Sequence, residues 1–164
     1  LGEKKVETRI VTLAAFHIVG YRIEATVEEF EAGLRQSHYD KLIEKKGEIK
    51  HRKNDQVLLM QIYPSHEGFD AKVDPFTHVL CYEVDKLEGV PSEMITHHVP
   101  ARSYVTCTHR GLESDIGDTY DYIYGRWLVD AGHVPECYDF EIWDERYQPE
   151  SVNNEIDVYV ALQS

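Results

Sequence analysis

The sequence predicts an α+β fold of two β-α-β-β halves, with the strands in one antiparallel sheet and both helices on one face. Three observations carry this. A weak internal repeat lays VTLAAFHIVGYRIEA, from Val11 to Ala25, over HHVPARSYVTCTHRG, from His97 to Gly111, at an offset of 86 residues. Each copy is followed by an amphipathic helical stripe. Each stripe then gives way to two extended runs joined by a polar loop.

Within the repeat, Leu13 meets Val99, Ala14 meets Pro100, Ala15 meets Ala101 and Val19 meets Val105. Each copy reads as a polar strand start, a small-residue kink at Ala14-Ala15 or Pro100-Ala101, and a second extended run. Thr26 with Glu29 has capping-box spacing, so a helix opens there and is expected over about 27–46. Phe30, Leu34, His38 and Leu42 form its apolar stripe, and Gly47 its stop. In the second half Ile116, Tyr120, Ile123, Trp127 and Ala131 predict a helix over about 115–131, closed by Gly132. Asp115, Asp118 and Asp121 suit the positive end of its dipole. The runs QVLLMQIYP and FTHVLCYEV follow the first helix, and CYDFEIWDE and EIDVYVAL the second, with Pro64 and Pro149 in the connecting loops. The chain thus reads as a single domain over 1–164, with repeats at about 6–86 and 93–163. Helices on one face leave the other open, and a concave ligand face is expected there.

The stretch YDFEIWDERYQP, from Tyr138 to Pro149, alternates as a strand. Tyr138, Phe140 and Ile142 point one way, as a core face under the helices. Asp139, Glu141 and Trp143 point the other way, onto the expected open side. On the last strand Ile156, Val158, Val160 and Leu162 form an apolar face, which leaves Tyr159 free to sit beside Glu141. Periodicity alone favours a solvated strand-end acid beside an ordinary aromatic.

Composition narrows the function classes. At 42% hydrophobic residues the 164-residue chain can build a real core, and it contains no apolar run long enough to span a membrane. Residues 1–86 carry 13 Lys/Arg against 15 Asp/Glu, whereas residues 87–164 carry 4 against 15. A surface so acidic repels phosphate backbones, argues against direct nucleic-acid binding, and concentrates cations. Cys81, Cys107 and Cys137 lie far apart and read as reduced thiols in a cytoplasmic protein. His97, His98 and His109 lack a third ligand at metal spacing and read as surface histidines; no metal or cofactor is expected. Neither a Gly-x-Ser-x-Gly elbow nor a Gly-rich phosphate loop is present. The opening LGEKKVETRI reads as a cut or mature end.

The stretches VTLAAFHIVGYR, VPARSYVTCTHRG, YDFEIWDERYQP and NEIDVYVAL, in this order, resemble the GyrI-like family, the AraC-type effector-binding or SOUL-like fold found in multidrug regulators. The resemblance implies that Glu141 is the buried carboxylate that meets lipophilic cations. Trp143 and Tyr159 join it by strand geometry. Where the family has pocket aromatics near the start of its second helix, Leu112 and Gly117 stand here, so Tyr120 and Tyr124 are the substitutes. The family's regulators carry a helix-turn-helix ahead of this domain; with only a few residues before the first strand, none is expected in this chain.

A cation over an aromatic face gains about 0.5–2 kcal/mol, and a buried carboxylate supplies its charge complement. Glu141, Trp143, Tyr159, Tyr120 and Tyr124 therefore form the expected receptor for hydrophobic, cationic small molecules. The protein would act alone or on a separate regulator; gyrase as partner rests on family analogy only, and an exposed sheet edge would support a homodimer. The alternative is a hydrolase of reactive, alkylating compounds, with Glu141 as general base and Tyr104 or Tyr159 assisting.

Overall fold

The computed structural model describes residues 6–164; the first five residues of the expected 1–164 domain lie outside the described residues. Eight strands, β1 (Arg9–Leu13), β2 (Phe16–Ala25), β3 (Val57–Ile62), β4 (Phe76–Val84), β5 (Ile95–Val99), β6 (Arg102–Arg110), β7 (Pro135–Trp143) and β8 (Glu155–Leu162), form one sheet. Every pairing is antiparallel, in the order β1-β6-β8-β7-β3-β4-β2-β5. Exchanging β1–β4 with β5–β8 turns this order into its own reverse, which is the signature of an approximate twofold axis at the β3–β7 seam.

The small-residue kinks are more than kinks. Ala14-Ala15 separates β1 from β2, and Pro100-Ala101 separates β5 from β6. Each first strand then pairs with the opposite half, β1 on β6 and β5 on β2. Three Cα steps span about 11 Å at most. Yet Leu13 and Phe16 belong to strands near opposite ends of the sheet, so the sheet must curl until its ends approach.

Both helices lie on the outside of this curl. Phe30, Leu42, Ile123 and Leu128 pack with Val19, Leu59, Trp143, Val158 and Val160 in one core. The second core holds strand residues only, among them Ile18, Met60, Val79, Val99, Tyr104, Phe140 and Ala161. The concave face is therefore filled with side chains instead of open for a ligand. This corrects the expected orientation of β7: Phe140 and Ile142 face the concave core, while Glu141 and Trp143 face the helices. β7 lies between β8 and β3 and both its faces are covered, so its apolar alternation could not tell which face the helices occupy.

The first helix opens at Val27 on the expected box, with Glu29 N–H donating to Thr26 Oγ1 (3.1 Å) and Thr26 N–H to Glu29 Oε1 (3.0 Å). It ends at Glu44, and Gly47 falls inside a separate 3-10 turn. The second helix spans 116–131 and closes on Gly132 in the left-handed conformation (φ 71°, ψ 27°), as Gly permits. Each helix is widened by a π-helical turn, Phe30–Leu34 near the start of the first and Ile123–Trp127 within the second. There the bonds run from Arg35 N–H to Phe30 O and from Leu128 N–H to Ile123 O. The extra residue displaces the stripe by one: Leu128, not Trp127, follows Ile123 into the core, and Ala131 is exposed.

Candidate ligand-binding site between the helices

A cavity of about 620 Å³ lies on the helix side of the sheet, within the size range of small-molecule pockets. β3 and β7 supply its floor, through Leu59, Gln61, Glu141 and Trp143. Phe30 and Arg35 flank it from the first helix, Tyr120 and Tyr124 from the second, and Tyr63, Phe69 and Phe76 close it from the β3–β4 side. The π turns present Phe30 and Arg35, five residues apart, to the same cavity.

Two carboxylates are buried in the floor, Glu141 at 3% exposure and Asp139 at 0%. Glu141 accepts from Tyr120 Oη at 2.6 Å and from Trp143 Nε1 at 2.9 Å. Asp139 accepts from Gln61 Nε2 (2.7 Å), Tyr63 Oη (2.6 Å) and Tyr124 Oη (2.7 Å). Gln61 Nε2 also donates to Tyr120 Oη at 3.0 Å, which joins both acids in one network. Burial pushes Glu141 up to about 7 and Asp139 up to about 6, against the opposing pull of these donors. The same burial, with the carboxylates close by, holds the tyrosine hydroxyls of Tyr63, Tyr120 and Tyr124 well above their usual range, so they remain donors.

At the other end of the floor Trp143 stacks on Tyr147 (4.5 Å, 2°), and Tyr147 Oη donates to Glu113 at 2.6 Å. Arg35 Nη1 lies 2.6 Å from Glu113, and Lys72 Nζ lies 3.6 Å from Asp121. Among the described residues the cavity is lined by six carboxylates and by these two cations, so its field is negative.

Of the residues expected to bind ligand, Glu141, Trp143, Tyr120 and Tyr124 come together around this cavity. Tyr159 does not: it stacks on Phe140 (4.8 Å, 8°) in the concave core, on the other side of the sheet. Tyr104 is also placed there, fully buried and bonded to Tyr138 Oη at 2.9 Å, so it cannot assist Glu141 in any catalysis. Both corrections follow from the inverted facing of β7. Asp139 was legible as a neighbour on the face of Glu141. Gln61 and Tyr63 were not, because only the β3–β7 register sets Gln61 opposite Asp139. His109 is a core residue and not a surface one, bonded through Nδ1 to Thr119 Oγ1 (2.7 Å) and through Nε2 to Leu112 O (2.8 Å). The described residues contain no group of three or more His, Cys, Asp or Glu placed to hold a metal, and no helix long and apolar enough to cross a membrane.

The model of the Cass2 family, integron-associated effector binding protein, matches residues 9–162. The chain belongs to this family. Across its length it is 26% identical over 161 residues to the transcriptional regulator BrlR of Pseudomonas aeruginosa. That alignment takes in 97% of the chain but only 56% of BrlR, so the chain spans about half the length of this curated relative. Several solved structures share its fold, among them these two. SAV2435 bound to tetraphenylphosphonium superposes with a TM-score of 0.73 at 11% identity, covering 96% of this chain and 94% of that one. The integron cassette protein VCH_CASS2 of Vibrio cholerae gives 0.63 at 14% identity, covering 95% of each. As a Cass2-type effector-binding protein, the chain keeps the expected α+β architecture, with its cavity on the helical side.

Proposed function

We propose that the cavity binds hydrophobic, cationic small molecules, with Glu141 as the charge complement and Trp143, Tyr120 and Phe30 as the aromatic walls. The observation that carries this is a carboxylate sunk in an aromatic floor, with only two donors and a solvent-starved position. Such a group pays desolvation when ionised and regains it when a cation arrives. The relation to a fold that holds tetraphenylphosphonium in SAV2435 supports the same reading. The whole 1–164 chain would serve as one receptor unit.

Titration calorimetry with tetraphenylphosphonium and a neutral tetraaryl analogue tests it. Glu141→Gln keeps shape and hydrogen-bonding capacity but removes the charge. It should weaken the cation by on the order of 1–3 kcal/mol and leave the neutral analogue almost unchanged. Equal affinity of parent and variant for the cation would refute the assignment.

The hydrolytic alternative draws on the same acid, since a carboxyl near neutrality suits a general base. Its assisting tyrosine would be Tyr120, at 2.6 Å, in place of Tyr104. Turnover of an alkylating substrate, abolished by Glu141→Gln, would favour it over simple binding.

A further inference from the structure

Glu113 is the second deeply buried acid that reaches the cavity surface, at 7% exposure. It lies in the short turn before the second helix, and its setting repeats that of Glu141. Trp143 donates to Glu141 and Tyr147 donates to Glu113, and the two rings that carry these donors are stacked face to face. One aromatic pair thus braces two carboxylates along the same floor.

The two acids differ in what meets them from the cavity side. Among the described residues Glu141 meets no cation. Glu113 Oε1 has the Arg35 guanidinium at 2.6 Å, yet among the described residues it receives no aligned hydrogen bond from that group or any other. Arg35 is held there from the first helix, just beyond the π turn, with its side chain 27% exposed. The contact is a charge pairing across the cavity between groups on facing helices, and its geometry leaves hydrogen-bonding capacity on Glu113 unused. Exposed Glu31, also on the cavity wall and four residues before Arg35, offers a displaced guanidinium another partner.

We infer that the cavity is a two-point receptor for aromatic dications, with one charge at Glu141 and a planar amidinium or guanidinium replacing Arg35 at Glu113. This rests on the cation-receptor reading of Glu141 and extends it to the second charge. A planar fork of N–H donors can meet both the charge and the unused acceptor of Glu113; an ammonium lacks the fork's fixed plane, and a phosphonium has no donor at all.

The test compares a bis-benzamidine on a flexible alkyl linker with its counterpart in which one amidine is a neutral carboxamide, at pH 8, with tetraphenylphosphonium as a control. The parent should bind the dication at least about tenfold more tightly than the monocation. Glu113→Gln should bring that ratio towards one. Arg35→Gln, which frees Glu113 without touching its bracing by Tyr147, should raise it, and this variant keeps the question open to refutation if Glu113→Gln fails to fold. Tetraphenylphosphonium binding together with a ratio that neither substitution moves would overturn the two-point site and leave the single-carboxylate receptor standing. Absence of tetraphenylphosphonium binding in the parent would overturn both.

Discussion

Under the proposed reading, Glu141 would connect ligand binding to pH. Its folded pKa of about 7 lies above the ordinary carboxyl value of 4.5 because burial penalises the charge. Below about pH 4.5 both folded and unfolded chains hold this proton, and no stability difference arises. Between there and 7 the folded state keeps a proton that the unfolded state has lost, so rising pH costs stability until the folded group also ionises. Buried His78, held below its ordinary value by burial, acts in the opposite sense as pH falls below about 6.5. The clean measurement is therefore a difference. Glu141→Gln should melt close to the parent near pH 5 and above it at pH 8, by on the order of 2–3 kcal/mol at full effect. A melting difference that does not change with pH would mean that Glu141 is not buried as described. Asp139, pushed up to about 6, should keep part of the parent's slope in the variant.

The elements that build the site depend on close backbone approach as much as on side chains. Gly20 sits in β2 opposite Cys81 of β4, with β5 on its other side. A Cβ placed there would meet Leu80 O at 2.0 Å and Cys81 Cα at 2.5 Å. Its backbone is not left-handed, so the demand is for space and not for unusual dihedrals. Gly20→Ala should cost about 1–3 kcal/mol in chemical denaturation, because backbone cannot move aside as a flexible side chain does. A neutral result would show that β2 can shift away from β4. The π turns are the other element-scale feature. Gly33, with φ 152°, breaks the helical dihedrals within the first of them, and the added residue in each turn re-aims the helix surface towards the cavity.

Over the whole molecule, the proposed function would have charge and fold act together on the ligand. The formal net charge is −13, and the cavity wall continues that sign inward. Lipophilic cations should therefore be steered to the protein. Raising salt from about 0.02 M to about 0.5 M should slow cation association several-fold while leaving a neutral ligand's rate unchanged, as screening shortens the reach of the field. Stopped-flow fluorescence would read this directly, and a salt-independent cation rate would remove steering from the account.

The sequence by itself determined the elements and much of the site's membership. Its repeat, the Thr26–Glu29 box and the Gly132 stop set out two helices and the strands that follow them. Glu141, Trp143, Tyr120 and Tyr124 were legible because strand parity and helical spacing are local properties. Only the tertiary structure decided which side of the sheet holds the cavity. β7 is covered on both faces, so local hydrophobicity carries no information about which cover is helical and which is the sheet's own curled interior. That choice arises from pairings between distant strands, β1 with β6 and β5 with β2, which curl the sheet and fill its concave side. It sends Tyr104 and Tyr159 inward, away from Glu141. It also brings Gln61 and Tyr63 to Asp139 and Arg35 to Glu113, contacts set by register and by the facing of two helices, neither of which a single strand or helix encodes.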